Sequence, residues 1–180
     1  MVKSNYVKKM TFSALFLAIA YVLPFLTGQI QQIGNMLCPM HIPVLLCGFI
    51  CGAPWGGLVG VIVPILRSVI LGMPPLFPTA FCMALELGTY GSIAGLLHRR
   101  FPKKKGFIYF SLILAMISGR LIWGIAMFIC MSGMGGQFGI EAFLVGAVTN
   151  AIPGIFLQII VVPVLVVLTE KNAKNIFETD

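Results

Sequence analysis

His98-Arg99-Arg100-Phe101-Pro102-Lys103-Lys104-Lys105 gathers five of the chain's twelve basic residues into eight positions. On either side lie apolar runs, about 78–97 before it and about 106–131 after it. A basic loop joining two apolar runs of spanning length reads as a cytoplasmic connection in a membrane protein. The whole chain agrees with that reading. Of 180 residues, 59% are hydrophobic and 9% charged, whereas an ordinary soluble domain is about 25% charged. Mean hydropathy is +1.02. So few charges cannot cover a soluble globule, and disorder needs the opposite composition. The net charge of +7 would suggest nucleic acid in a soluble chain. Here the basic residues flank apolar runs, so they set topology and no nucleic-acid partner is expected.

Working outward, apolar periodic runs predict an all-α, polytopic membrane protein with six transmembrane helices in one bundle. They cover about 10–26, 41–51, 55–71, 78–97, 106–131 and 140–168, between a basic N-terminus at 1–9 and a polar tail at 169–180. The second is too short to span at 1.5 Å per residue, so it must be inclined, re-entrant or extended through Pro39. Six alternating crossings place Lys3, Lys8, Lys9, Arg99, Arg100, Lys103, Lys104, Lys105, Lys171 and Lys174 on one side, ten of the twelve basic residues. The positive-inside rule then puts both termini in the cytoplasm of a multi-pass cell-membrane protein. Lys8-Lys9 before an apolar run also describes a secretory signal, with Ala18-Ile19-Ala20 as its cleavage site. That site leaves an apolar core of only about eight residues, so the run is read as the first helix.

Small residues recur at helix-packing spacing in Ala14/Ala18, Gly48/Gly52, Gly56/Gly60 and Gly91/Gly95, which lets helix backbones approach in lipid. Packing within the chain suits most of them; Ala14/Ala18 could equally dock another subunit. Five cysteines show no metal or haem spacing, and neither His41 nor His98 has partners at metal-ligand spacing. No metal or cofactor is expected.

Two basic residues, Arg67 and Arg120, fall inside the apolar runs, as does Glu86. An ionised group at the bilayer centre costs at least ~2.5–3.5 kcal/mol, so such groups face the protein interior or a wet cavity. Counting from the outer helix ends at 1.5 Å per residue puts Arg67 ~6 Å, Glu86 ~12 Å, Asn150 ~15 Å and Arg120 ~16 Å deep. All four lie in the outer half, the pattern of a pocket open to the outside. Two arginines against one glutamate leave positive charge for a ligand carboxylate or phosphate, which suits the arginine fork. The bland alternative is a charge pair that only locks helices. Arg67 could also snorkel to the outer interface. Tyr90 and Trp123, each one turn beyond a charged residue, could stack on a planar ligand or simply pack. The loops at 29–35 and 72–78 are placed to cover the pocket, and His41 could contact ligand.

No P-loop is present, and Asp180 is the sole aspartate. Carboxylate-rich and nucleophile motifs are also missing, so enzyme chemistry is not expected. Ala14/Ala18, His41-Ile42-Pro43, Gly52-Ala-Pro54-Trp-Gly56 through Gly60, and Gly72-Met-Pro-Pro75-Leu-Phe-Pro78 together resemble the substrate-capture S components of energy-coupling factor (ECF) transporters. Ser118-Gly-Arg120-Leu-Ile-Trp123-Gly124 and Asn150-Ala-Ile-Pro-Gly154 resemble the vitamin-binding branch. The resemblance implies capture of a B vitamin or precursor from outside. It also implies docking, partly through the first helix, on a transmembrane coupling subunit with two cytoplasmic ATPases, and toppling to carry the ligand inward. The residues themselves favour an anionic vitamin such as pantothenate or niacin, with riboflavin, pyridoxine and thiamine precursors still open. A stand-alone facilitator or channel, or a membrane scaffold, are the competing readings.

Overall fold

Every residue of His41–Cys51 except Ile50 is buried, and the other helices are arranged around that segment. A helix apolar on all sides offers no face to solvent and must be enclosed. The computed structural model describes residues 2–27, 39–102, 105–135, 139–147 and 151–177, and these form only helices and turns. The helices are α1 (Val2–Val22), α2 (His41–Cys51), α3 (Ala53–Leu71), α4 (Phe81–Arg100), α5 (Lys105–Gly133), α6 (Ile140–Ala147) and α7 (Ile152–Phe177). Short helical turns at Leu23–Thr27 and Leu76–Ala80 follow α1 and precede α4.

Among the described residues, five helices are long and apolar enough to cross a membrane: Asn5–Phe25, Ala53–Leu71, Leu76–Arg100, Gly106–Gly133 and Ile152–Thr169. The sixth expected crossing, α2, is not among them; at 1.5 Å per residue it is about 16 Å long. It lies inside the bundle against α1, α3, α4 and α7. Three boundaries also differ from the sequence reading. Lysine is a good helix former, so the basic N-terminus joins α1 from Val2 onward. The expected tail from 169 continues α7 to Phe177. The expected helix over 140–168 is two, α6 and α7. Pro153 sits in the first turn of α7, where its missing N–H breaks no helical bond. The loop at 29–35 lies outside the described residues, as do Lys103 and Lys104.

Contacts fix the helix directions. The Tyr6 and Trp55 rings meet at 5.2 Å where α1 and α3 begin, and Arg67 reaches the Tyr21 carbonyl where both end, so α1 and α3 run parallel. His41 at the start of α2 meets Tyr90, and the Arg99 guanidinium reaches the Cys51 carbonyl at 3.4 Å, so α2 and α4 run parallel, opposed to that pair. The start of α1, the Gly52 turn and the end of α4 therefore share one end of the bundle. Lys8, Lys9, Arg99 and Arg100 gather there.

Glycines let the middle helices touch backbone to backbone. A Cβ on Gly91 would overlap the Gly56 carbonyl, and one on Gly48 would overlap the Gly91 carbonyl. In lipid, where apolar side chains gain little by leaving the solvent, such close approach holds helices together. Gly48, Gly56, Gly60, Gly91 and Gly95 all sit at such backbone contacts, and Gly52 sits against the Arg99 guanidinium. Ala14 and Ala18 do not: both are exposed on α1, between the exposed Val7, Met10, Leu15, Ile19 and Val22.

Candidate functional site

Glu86 lies in the second turn of α4, only 2% exposed in an otherwise apolar interior. Three helices bring partners to it. From α5, Arg120 Nη1 stands 3.0 Å from Glu86 Oε1. From the first residue of α2, His41 Nε2 stands 3.5 Å from the same oxygen. From the next turn of α4, the Tyr90 hydroxyl bonds the carboxylate, and the Tyr90 ring meets His41 edge-on at 5.1 Å. The amino end of α2, which has no side-chain cap, begins beside Glu86 and adds a partial positive charge. A lone buried carboxylate is expensive; here an arginine and a helix terminus offset the loss of water.

The cluster nevertheless has unused hydrogen-bonding capacity. Among the described residues, Glu86 Oε1 accepts no hydrogen bond despite its closeness to Arg120, and neither nitrogen of His41 makes one, although Nε2 stands 3.5 Å from that oxygen. Buried polar atoms normally find partners, and each one left unmet costs about 1–3 kcal/mol. Several such atoms within one contact group, inside an apolar bundle, are what a small polar molecule could satisfy.

Gly119 makes this geometry possible. A Cβ there would run into the Tyr90 ring, which is 1% exposed and held by His41. We expect Gly119→Ala to push the Tyr90 ring off its position and weaken ligand binding at least tenfold, about 1.4 kcal/mol, while the helices still assemble. Binding isotherms on the purified variant, with thermal unfolding as the control for folding, check this.

The sequence-expected residues separate into groups. Glu86, Tyr90 and Arg120 come together. Arg67 does not join them. It is 6% exposed, and its Nη1 donates to the Tyr21 carbonyl at 2.9 Å. That carbonyl belongs to the last turn of α1, where acceptors have no intrahelical partner and the helix end is partially negative. The Tyr21 and Phe25 rings also face the Arg67 guanidinium, at 5.9 and 5.6 Å. Arg67 thus caps α1 and ties it to α3. Trp123 stacks on Phe143 of α6, ring centroids 6.4 Å apart. Asn150 lies outside the described residues.

Beside Trp123, an open groove of about 390 Å³ runs between α5 and α6, lined by Leu121, Gly124, Ile125, Phe128, Gly139, Ile140 and Phe143. Its walls are apolar and none of the Glu86 cluster lines it, so it is a separate feature on the outer face of α5. No group of three or more His, Cys, Asp or Glu side chains could hold a metal among the described residues.

His41 and Gly119 are the residues that sequence reading undervalued. A solitary histidine has no spacing signal, although its place directly after Pro39-Met40, at a helix start, was visible. Gly119 stands next to the half-buried Arg120, where a missing side chain is itself a hint.

A family model described as "ECF transporter, substrate-specific component" matches residues 8–166. No curated protein and no solved structure matches the chain.

Proposed function

The chain belongs to the substrate-specific components of ECF transporters, and on that premise we propose that it captures a B vitamin or a vitamin precursor outside the cell membrane. A separate module then moves the ligand inward, with a transmembrane coupling subunit and two cytoplasmic ATPases. The observation that carries the site assignment is the buried Glu86–Arg120–His41 group with its unused hydrogen-bonding capacity. Tyr90 shapes that group, and Trp123 and Asn150 are its proposed flanks. Substrate-specific components divide the labour with an ATPase, which agrees with a chain that carries no P-loop.

In this reading α2 completes the count of six passes. Both chain ends then lie in the cytoplasm. The gathering of Lys8, Lys9, Arg99 and Arg100 at one end of the bundle supports that orientation. The exposure of Ala14 and Ala18 supports α1 as the face that meets the coupling subunit. Small residues there let another helix approach closely. Replacing both with leucine is expected to leave ligand affinity within about twofold, roughly 0.4 kcal/mol, and to abolish ATP-driven uptake by the assembled transporter. Joint loss of binding and uptake would show that the stripe packs inside this chain instead.

The deciding experiment is reconstitution. The chain should co-purify with an ATPase-containing complex and, alone in liposomes, bind ligand without sustaining transport. Transport by the isolated chain would favour a stand-alone facilitator. The absence of any ligand, with Arg120 acting only on stability, would favour a scaffold.

A further inference from the structure

The ligand's charge follows from how the buried groups are shared out. An anionic ligand was expected because two arginines faced one glutamate, but Arg67 is committed to the Tyr21 carbonyl and the rings of α1. One arginine and one glutamate remain at the site, 3.0 Å apart. The segments 28–38, 136–138 and 148–150 contain no charged residue, so none of them alters this balance. Glu141, the second of the chain's five acidic residues, is exposed at the start of α6 and balances Arg67 over the outer half as a whole.

Resting on the capture reading above, we propose that the site takes a ligand with no net charge, one that offers an N–H or O–H donor to Glu86 Oε1 and a polar edge to His41. A ligand carboxylate would lie beside Glu86, and an ammonium beside Arg120. Like charges set side by side in a buried site cost several kcal/mol, whereas a neutral donor fills an acceptor that is already desolvated. The unmet atoms also name the complement. Glu86 Oε1 can only accept while ionised, and His41 presents two ring nitrogens that make no hydrogen bond. A primary amide, a ring lactam or a hydroxyl beside a ring nitrogen has that pattern; a simple carboxylate does not.

The test uses the full-length protein in lipid nanodiscs and two matched pairs of probes, nicotinamide against nicotinate and pantothenol against pantothenate. Mass spectrometry of small molecules released from the protein as isolated accompanies it. The neutral member of a pair that binds is expected to win by about a hundredfold, and a released molecule is expected to carry no net charge. Tighter binding of the acid, or release of a carboxylate, phosphate or cation, overturns this inference and leaves substrate capture standing. A protein that releases nothing and binds neither pair loses the capture reading and this inference together. Glu86→Gln supplies a second arm. It keeps the side chain's shape but leaves Arg120 unbalanced, so a variant that folds should shift its preference toward the acid by at least tenfold. An unchanged preference in that variant would overturn the assignment of Glu86 as the group that rejects anions.

Discussion

Arg120→Ala is expected to lower stability by about 3–5 kcal/mol, because it leaves the Glu86 carboxylate buried without its cation. Ligand affinity should fall by about 2–5 kcal/mol in the fraction that still folds, roughly thirtyfold to several thousandfold. The two effects separate in a double variant. Arg120→Met with Glu86→Gln removes both charges while nearly keeping volume, so it should recover most of the stability and none of the ligand selectivity. Thermal unfolding in detergent and ligand titration of the two variants and the parent measure both. If Arg120→Ala unfolds like the parent protein, the 3.0 Å pair carries no energetic weight and the site loses its anchor. If the double variant binds as the parent does, the charges are a helix lock and nothing more.

Gly91→Leu should be the most damaging single change away from the site. Even a Cβ at Gly91 overlaps the Gly56 carbonyl, and backbone cannot rotate aside as a long side chain can. Overpacking costs about 1–3 kcal/mol where neighbours can adjust. Here α3 and α4 must separate, taking α2 with them, so the loss should exceed about 3 kcal/mol. Gly133→Leu is the control, since nothing lies near its missing Cβ, and it should change stability by less than about 0.5 kcal/mol. The measurement is the shift in unfolding temperature and the folded fraction recovered from membranes. A tolerated Gly91→Leu would mean that α3 and α4 do not approach this closely.

Much of this was legible from residue types alone. Charge can be read directly from sequence, so the sorting of lysine and arginine to one end of the bundle showed through, and so did the burial of Glu86 with Arg120. Arg67 misled because its partner is a backbone carbonyl, and every residue has one; nothing in the sequence marks Tyr21 as the residue whose oxygen is left over at a helix end. The break between α6 and α7 was marked by Asn150 and Pro153. Its depth was not, since proline can kink a spanning helix or start a new one. The sequence offered His41 as a ligand contact, but its place beside Glu86 emerged only when α2 and α4 were known to run parallel. That juxtaposition depends on helix direction, which no local motif encodes.

The short central helix has a consequence for how the protein is made. Insertion machinery admits segments to lipid roughly according to their length and apolarity, and eleven residues fall well below the ~20 needed to cross unaided. On the proposed six-pass reading, the segment His41–Cys51 enters together with Ala53–Leu71, turning at Gly52, which adopts a φ of 102° that is open to glycine and strained for other residues. A ribosome-bound chain stopped before Leu71 should then leave this helix outside the bilayer, and one stopped after it should have both inserted as a hairpin.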